Sequence, residues 1–263
     1  MIFDTHAHYD DKAFDEDREE LLEKLPQQGI GRVVNIGSSL DSCSRTIELM
    51  ERYHYIYGAI GIHPSDTAQL DEGSFEWLKA RCRHKKCLAV GEIGLDYYWE
   101  EPEHDIQKKW FVRQLQLAGE LKLPAVIHSR DAAMDTIDIM KAENARDIGG
   151  VIHCYAYTKE SARTFLDMGF YFGIGGVLTF KNGRKLREAV EYLPLDRIVL
   201  ETDCPYLSPE PNRGKRNSSL NLPYVVSALA QFKGITAEEA ERITWENACR
   251  LYRMDCHNKT YSV

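Results

Sequence analysis

Two histidines separated by one residue, His6 and His8, follow the first apolar segment of the chain. Residues two apart on an extended strand point to the same side, so both imidazoles can bind one divalent cation. Such a pair is weak evidence by itself, because it also occurs as a hydrogen-bonded polar pair. Further imidazoles and carboxylates follow other short apolar segments, at Glu92, His128, His153 and Asp203. Imidazole and carboxylate ligands together suit borderline to hard divalent cations, so the whole set predicts a metal centre.

Eight short apolar segments alternate with amphipathic segments along the chain. Continuous apolar segments rich in Val and Ile are typical of parallel strands that are buried on both faces. Eight βα units predict either a closed barrel or an open doubly wound sheet. No glycine-rich phosphate-binding segment follows the first strand, which argues against the open sheet. The predicted strands are Met1–Thr5, Arg32–Ile36, Ile56–Ile60, Cys87–Val90, Ala125–Ile127, Gly150–Ile152, Tyr171–Ile174 and Arg197–Leu200.

The positions of the polar residues favour the barrel, because they stand at the carboxyl ends of the predicted strands. In a TIM barrel these ends lie on one face, where active sites form. A chain of 263 residues also suits one such barrel, which needs about 250 residues. We therefore predict an α/β fold, a single (β/α)8 TIM-barrel domain over residues 1–263. Glu92 is the candidate bridge between two ions, since the other ligands then divide into two groups around it.

The composition limits how the chain could bind a polyanion. With 33 Lys and Arg against 41 Asp and Glu, the formal net charge is −8, so general electrostatic attraction cannot hold nucleic acid. Seven dispersed cysteines without a CxxC pair predict neither a disulfide framework nor a zinc ribbon. We expect neither a signal peptide nor a membrane span, because no apolar stretch in the sequence approaches the roughly 20 residues that span a bilayer. We expect a cytoplasmic monomer with no membrane association and no obligate protein partner.

Several longer segments resemble the TatD family of metal-dependent deoxyribonucleases. The resemblance extends in order from residue 3 to about residue 250, and so covers essentially the whole chain. An HxH motif alone belongs to the wider amidohydrolase superfamily, whereas the segments around Glu92 and Asp203 are more specific. The segments are Phe3-Asp-Thr-His-Ala-His8, Gly61-Ile-His-Pro64, Gly91-Glu-Ile-Gly-Leu-Asp-Tyr97, Val126-Ile-His-Ser-Arg130, His153-Cys-Tyr155, Leu200-Glu-Thr-Asp-Cys-Pro-Tyr-Leu207 and Trp245-Glu-Asn-Ala248.

This resemblance implies a deoxyribonuclease that trims DNA from its ends, of the 3′–5′ exonuclease type, with two divalent cations as cofactors. Mg, Mn and Zn are all compatible with the ligand types, and the choice among them stays open. Single-stranded or frayed DNA ends would be the substrate. By the resemblance, one ion would be held by His6, His8, Glu92 and Asp203. The second would be held by Glu92, His128 and His153, and Glu201 would contact an additional ion.

The predicted catalytic residues are Asp203, Glu92 and His63. Asp203 would help to deprotonate a metal-activated water, and His63 would bind phosphate or protonate the leaving group. Alternatively, His63 only makes a local hydrogen bond in a His-Pro turn. Arg130 would pair with a phosphate through its planar guanidinium, or else form a salt bridge with a loop carboxylate. Tyr155 would bind substrate by stacking on an unpaired base, or else pack at the barrel rim.

The sequence is also compatible with two other classes of function. A small-molecule amidohydrolase, lactonase or phosphoesterase could use the same scaffold, although such barrels often bridge their ions with a carboxylated lysine where this chain has Glu92. A non-enzymatic, metal-dependent binding protein would need closed coordination, whereas a catalytic ion keeps an open position.

Overall fold

The computed structural model describes residues 1–256 and has eight parallel strands that alternate with helices. Each strand pairs with the next along the chain, in the order β1 to β8. The strands are β1 Ile2–Ala7, β2 Ile30–Ile36, β3 Ile56–Ile60, β4 Cys87–Asp96, β5 Ala125–Arg130, β6 Gly150–Ile152, β7 Tyr171–Ile174 and β8 Ile198–Leu200. The helices are α1 Arg18–Lys24, α2 Leu40–Arg52, α3 Glu72–Arg81, α4 His104–Leu121, α5 Ala133–Ala142, α6 Ala145–Ile148, α7 Lys159–Asp167, α8 Arg184–Tyr192, α9 Leu222–Lys233 and α10 Ala237–Leu251. The predicted (β/α)8 architecture is confirmed.

Hydrogen bonds between β1 and the segment after β8 close the barrel. Ala7 and Cys204 form a parallel bridge, and the His8 N–H donates to the Cys204 carbonyl at 2.9 Å. The Asp203 N–H donates to the His6 carbonyl, also at 2.9 Å. Closure therefore places Asp203 beside the two histidines of β1.

Small apolar side chains fill the barrel interior, and α10 covers its amino-terminal end. Ala59, Ala89 and Val126 belong to one buried cluster with residues of α10. Trp245 of α10 packs on Phe3 with ring centroids 5.6 Å apart. A second, larger cluster fills the shell between the strands and the surrounding helices. This alternation of inward and outward residues is the core arrangement expected for a barrel whose strands are buried on both faces.

All eight predicted strands are present, but β4 and β5 extend further than predicted. The expected end of β4 was Val90, whereas the strand continues to Asp96 and contains Glu92. Charged residues usually mark the end of a buried strand, yet here they stay in the sheet because their side chains face the barrel mouth. A capping box begins α10, in which Thr236 and Glu239 each accept a hydrogen bond from the other's backbone N–H through their side chains. Among residues 1–256, none of the helices combines the length and apolar character needed to cross a bilayer.

Candidate metal centre

The residues predicted as metal ligands meet at the carboxyl-terminal face of the barrel. All of them except buried His6 line a cavity of about 570 Å³ that opens at this face. Strands β1, β4 and β5 carry His6, Glu92 and His128, while His153 and Asp203 follow β6 and β8. Parallel strands bring residues from separate parts of the chain together because all their carboxyl ends point the same way. The cavity is lined by His8, His63, Glu92, His128, His153 and Asp203, among others.

The first group of candidate ligand atoms is spaced as if around one ion. The Nε2 atoms of His6 and His8 are 3.1 Å apart, and Asp203 Oδ1 is 3.5 and 3.4 Å from them. Glu92 Oε2 lies 3.5 Å from His6 Nε2 and 3.8 Å from His8 Nε2. Ligands that bind a tetrahedral ion at about 2.1 Å are separated from one another by about 3.4 Å. The four side chains therefore fit a single divalent cation.

The hydrogen bonds of His8 leave the correct nitrogen free for a cation. His8 Nδ1 lies 3.0 Å from the carbonyl oxygen of Ile36, which can only accept. Nδ1 must therefore carry the ring proton in the neutral form, and the Nε2 lone pair faces His6 and Asp203. A backbone carbonyl that fixes the tautomer in this way is typical of histidines that bind metals.

The other oxygen of Glu92 faces a second group of imidazoles. Glu92 Oε1 is 2.8 Å from His128 Nδ1 and 2.7 Å from His153 Nε2, and these two nitrogens are 3.2 Å apart. Because Oε2 faces His6 and His8, the buried carboxylate presents one oxygen to each group. This is the arrangement required of a carboxylate that bridges two ions.

Asp96 belongs to the site, and the sequence interpretation gave it no role. Its Oδ2 lies 3.0 Å from His128 Nε2, on the side of the ring opposite Glu92. The Gln107 side chain bonds both the N–H and the carbonyl of buried Asp96 and so fixes its position. The available signal was spacing, since Glu92 and Asp96 are four apart on one strand and must share a face.

Glu201 lies behind the two groups, near the nitrogen atoms that face away from Glu92. Its Oε1 accepts a hydrogen bond from the Cys154 N–H and lies 3.7 Å from His153 Nδ1. Within residues 1–256, three buried atoms here have no hydrogen-bond partner. They are His6 Nδ1, His153 Nδ1 and Glu201 Oε2. Unpartnered polar atoms are costly in a protein interior, so this position also fits a cation.

The imidazoles keep the acids of the cavity ionised. Burial opposes ionisation of Glu92, yet the neighbouring imidazoles, above all His153, outweigh it and hold the Glu92 pKa well below its usual range. Burial likewise opposes ionisation of Asp203, but the His8 hydrogen bond and nearby imidazoles lower its pKa. For His8, burial is outweighed by Asp203, which raises the histidine pKa to about 9. The cavity therefore holds ionised carboxylates whose charge is balanced by imidazoles, and a bound cation would take over this balance from the imidazole protons.

His63 makes the local hydrogen bond that was considered as an alternative, and it also faces the cavity. Its Nδ1 accepts from the Ser65 N–H at 3.1 Å, so the neutral ring carries its proton on Nε2. Burial, together with the nearby charge of His128, lowers the His63 pKa to about 3. A neutral imidazole can donate a hydrogen bond to a phosphate oxygen, but it is a poor acid for protonating a leaving group.

The prediction that Tyr155 binds substrate is wrong. Its side chain is only 2% exposed, and its hydroxyl donates to the Thr158 carbonyl. The ring packs edge-on against Phe165 and Phe172 in the shell outside the barrel. The positive φ of Cys154, 44°, turns the chain directly after His153, so proximity in sequence to a ligand did not place Tyr155 in the cavity.

Arg130 lies at the cavity rim, as a substrate-binding residue must. Its guanidinium stacks on the Tyr98 ring, 3.7 Å from the centroid. No salt bridge of Arg130 is found among residues 1–256, in contrast to the alternative considered from the sequence.

Cys204 is a fully buried thiol, while Cys154 is partly exposed.

The sequence model of the protein family described as TatD related DNase matches residues 3–253 of this chain. This chain belongs to the TatD family. As a TatD-family member it is a metal-dependent hydrolase, and the ligand groups described above are its candidate metal sites. The resemblance recognised in the sequence is therefore confirmed over nearly the whole chain.

Individual relatives agree with this assignment. A Bacillus subtilis protein named uncharacterized metal-dependent hydrolase YabD is 44% identical over 255 residues, covering 97% of this chain and all of the relative. A Cronobacter sakazakii protein named 3′-5′ ssDNA/RNA exonuclease TatD is 32% identical over 257 residues, covering 95% and 97% of the two chains. The crystal structure of YjjV, a TatD homolog from Escherichia coli, superimposes with a TM-score of 0.91 at 29% identity, covering 97% of this chain and 98% of that one.

Proposed function

We propose that this protein hydrolyses phosphodiester bonds at the 3′ ends of DNA, as a metal-dependent 3′–5′ exonuclease. The observation that carries the proposal is Glu92, which presents one carboxylate oxygen to each of two imidazole groups. Two adjacent cations suit the hydrolysis of a phosphodiester, an anionic group in which one oxygen replaces another on the phosphorus atom. The name of the Cronobacter sakazakii relative supports nucleic-acid ends as the substrate class.

The donor atoms of the chain fit two divalent cations, with Mg, Mn and Zn as candidates. The spacing of 3.1 to 3.8 Å in the first group is that of ligands to one ion. The first ion would be held by His6, His8, Glu92 and Asp203, and the second by Glu92, His128 and His153. Glu201 would contact any additional ion. When bound, the ions offset phosphate charge and make water a stronger nucleophile near neutral pH.

Three side chains would act on the substrate and the attacking water. The Asp203 side chain is 17% exposed against 4% for Glu92, so Asp203 is the carboxylate that can take a proton from water in the cavity. His63 would donate its Nε2 proton to a phosphate oxygen as a hydrogen bond. Arg130, at the rim, would pair with the phosphate of the neighbouring nucleotide. Glu92 would contact both groups of ligands and hold them in a fixed position relative to each other.

Cleavage of end-labelled oligonucleotides tests the proposal. The purified protein with Mn or Mg should shorten a 5′-labelled single strand one nucleotide at a time, and EDTA should stop the reaction. Glu92→Gln should abolish release, whereas Glu100→Gln, at an exposed position in the connection after the same strand, should leave it unchanged. A pure wild-type protein that releases no nucleotide with either metal would overturn the proposal. Shortening only from the 5′ end would overturn the polarity, and equal cleavage of RNA would broaden the substrate.

The cavity size keeps a small-molecule substrate as the second candidate. A volume of about 570 Å³ is within the range of small-molecule sites, so a lactone, amide or small phosphoester would also fit. A panel of these substrates, assayed beside DNA with the same metal, distinguishes the two functions. Faster turnover of a panel member than of DNA would favour the second candidate. The cytoplasmic location and the monomeric state stay predictions from the sequence.

A further inference from the structure

Exposed aromatic side chains are concentrated around the mouth of the metal centre. Tyr98, Trp99 and Tyr206 are 54%, 55% and 56% exposed, respectively. Tyr98 and Trp99 follow β4, and Tyr206 follows β8. Large aromatic side chains gain free energy from burial, so a group of exposed ones beside a cavity indicates a binding surface.

Two of these aromatic residues line the same cavity as the candidate metal ligands. Trp99 and Tyr206 border this cavity together with Arg130. Backbone hydrogen bonds connect both aromatic segments to the centre. The Tyr98 N–H donates to Asp96 Oδ1 at 3.0 Å, and the Tyr206 N–H donates to the Asp203 carbonyl at 2.9 Å. These bonds fix the backbone of Tyr98 and Tyr206 relative to Asp96 and Asp203 of the metal centre.

The rings after β4 are already organised by their contacts with one another. The Arg130 guanidinium stacks on Tyr98, and the Tyr98 ring meets Trp99 edge-on, with centroids 4.8 Å apart and planes at 90°. This arrangement leaves Trp99 exposed at the cavity that Arg130 also lines. A flat apolar surface next to a guanidinium matches a nucleobase joined to its phosphate.

We propose that Trp99 forms a stacking subsite for an unpaired nucleobase next to the scissile phosphate, with Arg130 on the adjoining phosphate and Tyr206 across the mouth. The inference rests on the proposed function and names the part of the substrate that is recognised. A base inside a duplex is stacked on both faces, so it must leave the helix before Trp99 can contact it. The subsite therefore selects single-stranded or frayed ends.

Stacking also explains how an acidic protein can hold DNA. The net charge is −8, and Asp10, Asp11 and Asp66 line the same cavity, so attraction to the phosphate backbone is weak. The contact between a base and an aromatic ring depends little on charge and accepts every base. Stacking on Trp99 would therefore contribute binding energy at the terminal nucleotide, which is the part of the DNA that the metal centre must hold.

Two single-stranded oligonucleotides test the subsite. One is a normal strand, and the other carries a stable abasic analogue at the 3′-terminal nucleotide. Wild type should cleave the normal strand with a kcat/KM about 5- to 150-fold higher, since stacking typically contributes 1–3 kcal/mol per base. Trp99→Ala should bring this ratio close to one by slowing only the normal strand. Trp99→Phe should restore most of the ratio, and Tyr192→Ala, which removes another exposed aromatic ring at the end of α8, should leave it unchanged.

The outcomes separate this inference from the proposed function. If wild type cleaves both strands and Trp99→Ala leaves the ratio unchanged, the stacking subsite is wrong while the exonuclease activity stands. If Trp99→Ala slows both strands equally, Trp99 has only a structural role, and the subsite is again overturned. If wild type cleaves neither strand, both proposals fall.

Discussion

The hydrogen bond between Asp96 and His128 can orient the His128 ring for metal binding. His128 Nε2 lies 3.0 Å from Asp96 Oδ2, and its Nδ1 faces Glu92 and His153. A proton on Nε2, donated to the carboxylate, leaves the Nδ1 lone pair directed at the candidate ion. A carboxylate behind a histidine also makes the imidazole a stronger ligand. Asp96 is thus a positioning residue for the second ion.

Replacing Asp96 should weaken metal binding without unfolding the protein. We expect Asp96→Asn to lower the affinity of one Mn ion by roughly 10–100-fold and to leave the other less affected. Isothermal titration of the metal-free protein measures both affinities. Asp138→Asn, on the exposed face of α5, is the matched control. Unchanged binding of both ions by Asp96→Asn would show that the contact has no role in metal binding.

At the scale of elements, β4 and β5 approach closely because β4 contains glycine beside His128. Gly94 pairs with His128 in the register of the two strands. Its φ is +145°, and a Cβ at this position would clash with the His128 carbonyl oxygen. The missing side chain therefore permits both the backbone conformation and the approach of the strand that carries a candidate ligand.

Adding one methyl group at Gly94 should disturb both stability and the site. We expect Gly94→Ala to lower the free energy of unfolding by about 1–3 kcal/mol, as overpacking typically does, and to weaken metal binding by displacing His128. Chemical denaturation measures the first effect and metal titration the second. Gly73→Ala is the control, since it lies on the exposed face of α3 with only the Asp71 carboxylate near its Cβ. It should raise stability by about 0.5–1 kcal/mol. Equal stabilities for the two variants would contradict this account of β4.

At the scale of the whole molecule, the metal centre joins strands from both ends of the chain. Candidate ligands come from β1, from β4 and β5, and from the segments after β6 and β8. Four acids, Glu92, Asp96, Glu201 and Asp203, lie close together at the barrel mouth, and neighbouring imidazoles offset the charge of Glu92, Asp96 and Asp203. Because these candidate ligands are brought together only by folding, bound cations would stabilise the folded state and hold the two ends of the barrel together.

Divalent cations should therefore raise the thermal stability of the protein. At an ion concentration of 100 times Kd, linkage predicts about 2.7 kcal/mol of stabilisation. For a chain of this size, that is a rise in Tm of about 5–10 °C. Differential scanning calorimetry with Mn and with EDTA measures the shift. Glu92→Gln, which removes the bridging charge, should lose most of it. A Tm that is the same with Mn and with EDTA would show that the centre binds no ion strongly in the folded state.

The fold and the membership of the site were predictable from the sequence for a physical reason. Parallel strands buried on both faces need continuous apolar segments, and these segments stand out in a chain with 28% charged residues. The carboxyl ends of such strands must lie on one face of a barrel. His6, Glu92, His128 and Asp203 could therefore be assigned to one cavity although they are far apart in the chain.

Tertiary structure decided which atoms of these residues face one another. Side-chain rotamers, local turns and barrel closure depend on packing between distant segments, and no local pattern encodes them. They direct the two oxygens of Glu92 to different imidazoles, place Asp96 behind His128, and turn Tyr155 away into the shell. The types of chemical group at the barrel mouth thus followed from the sequence, whereas their contacts required the fold, because a contact is fixed only when both partners are packed.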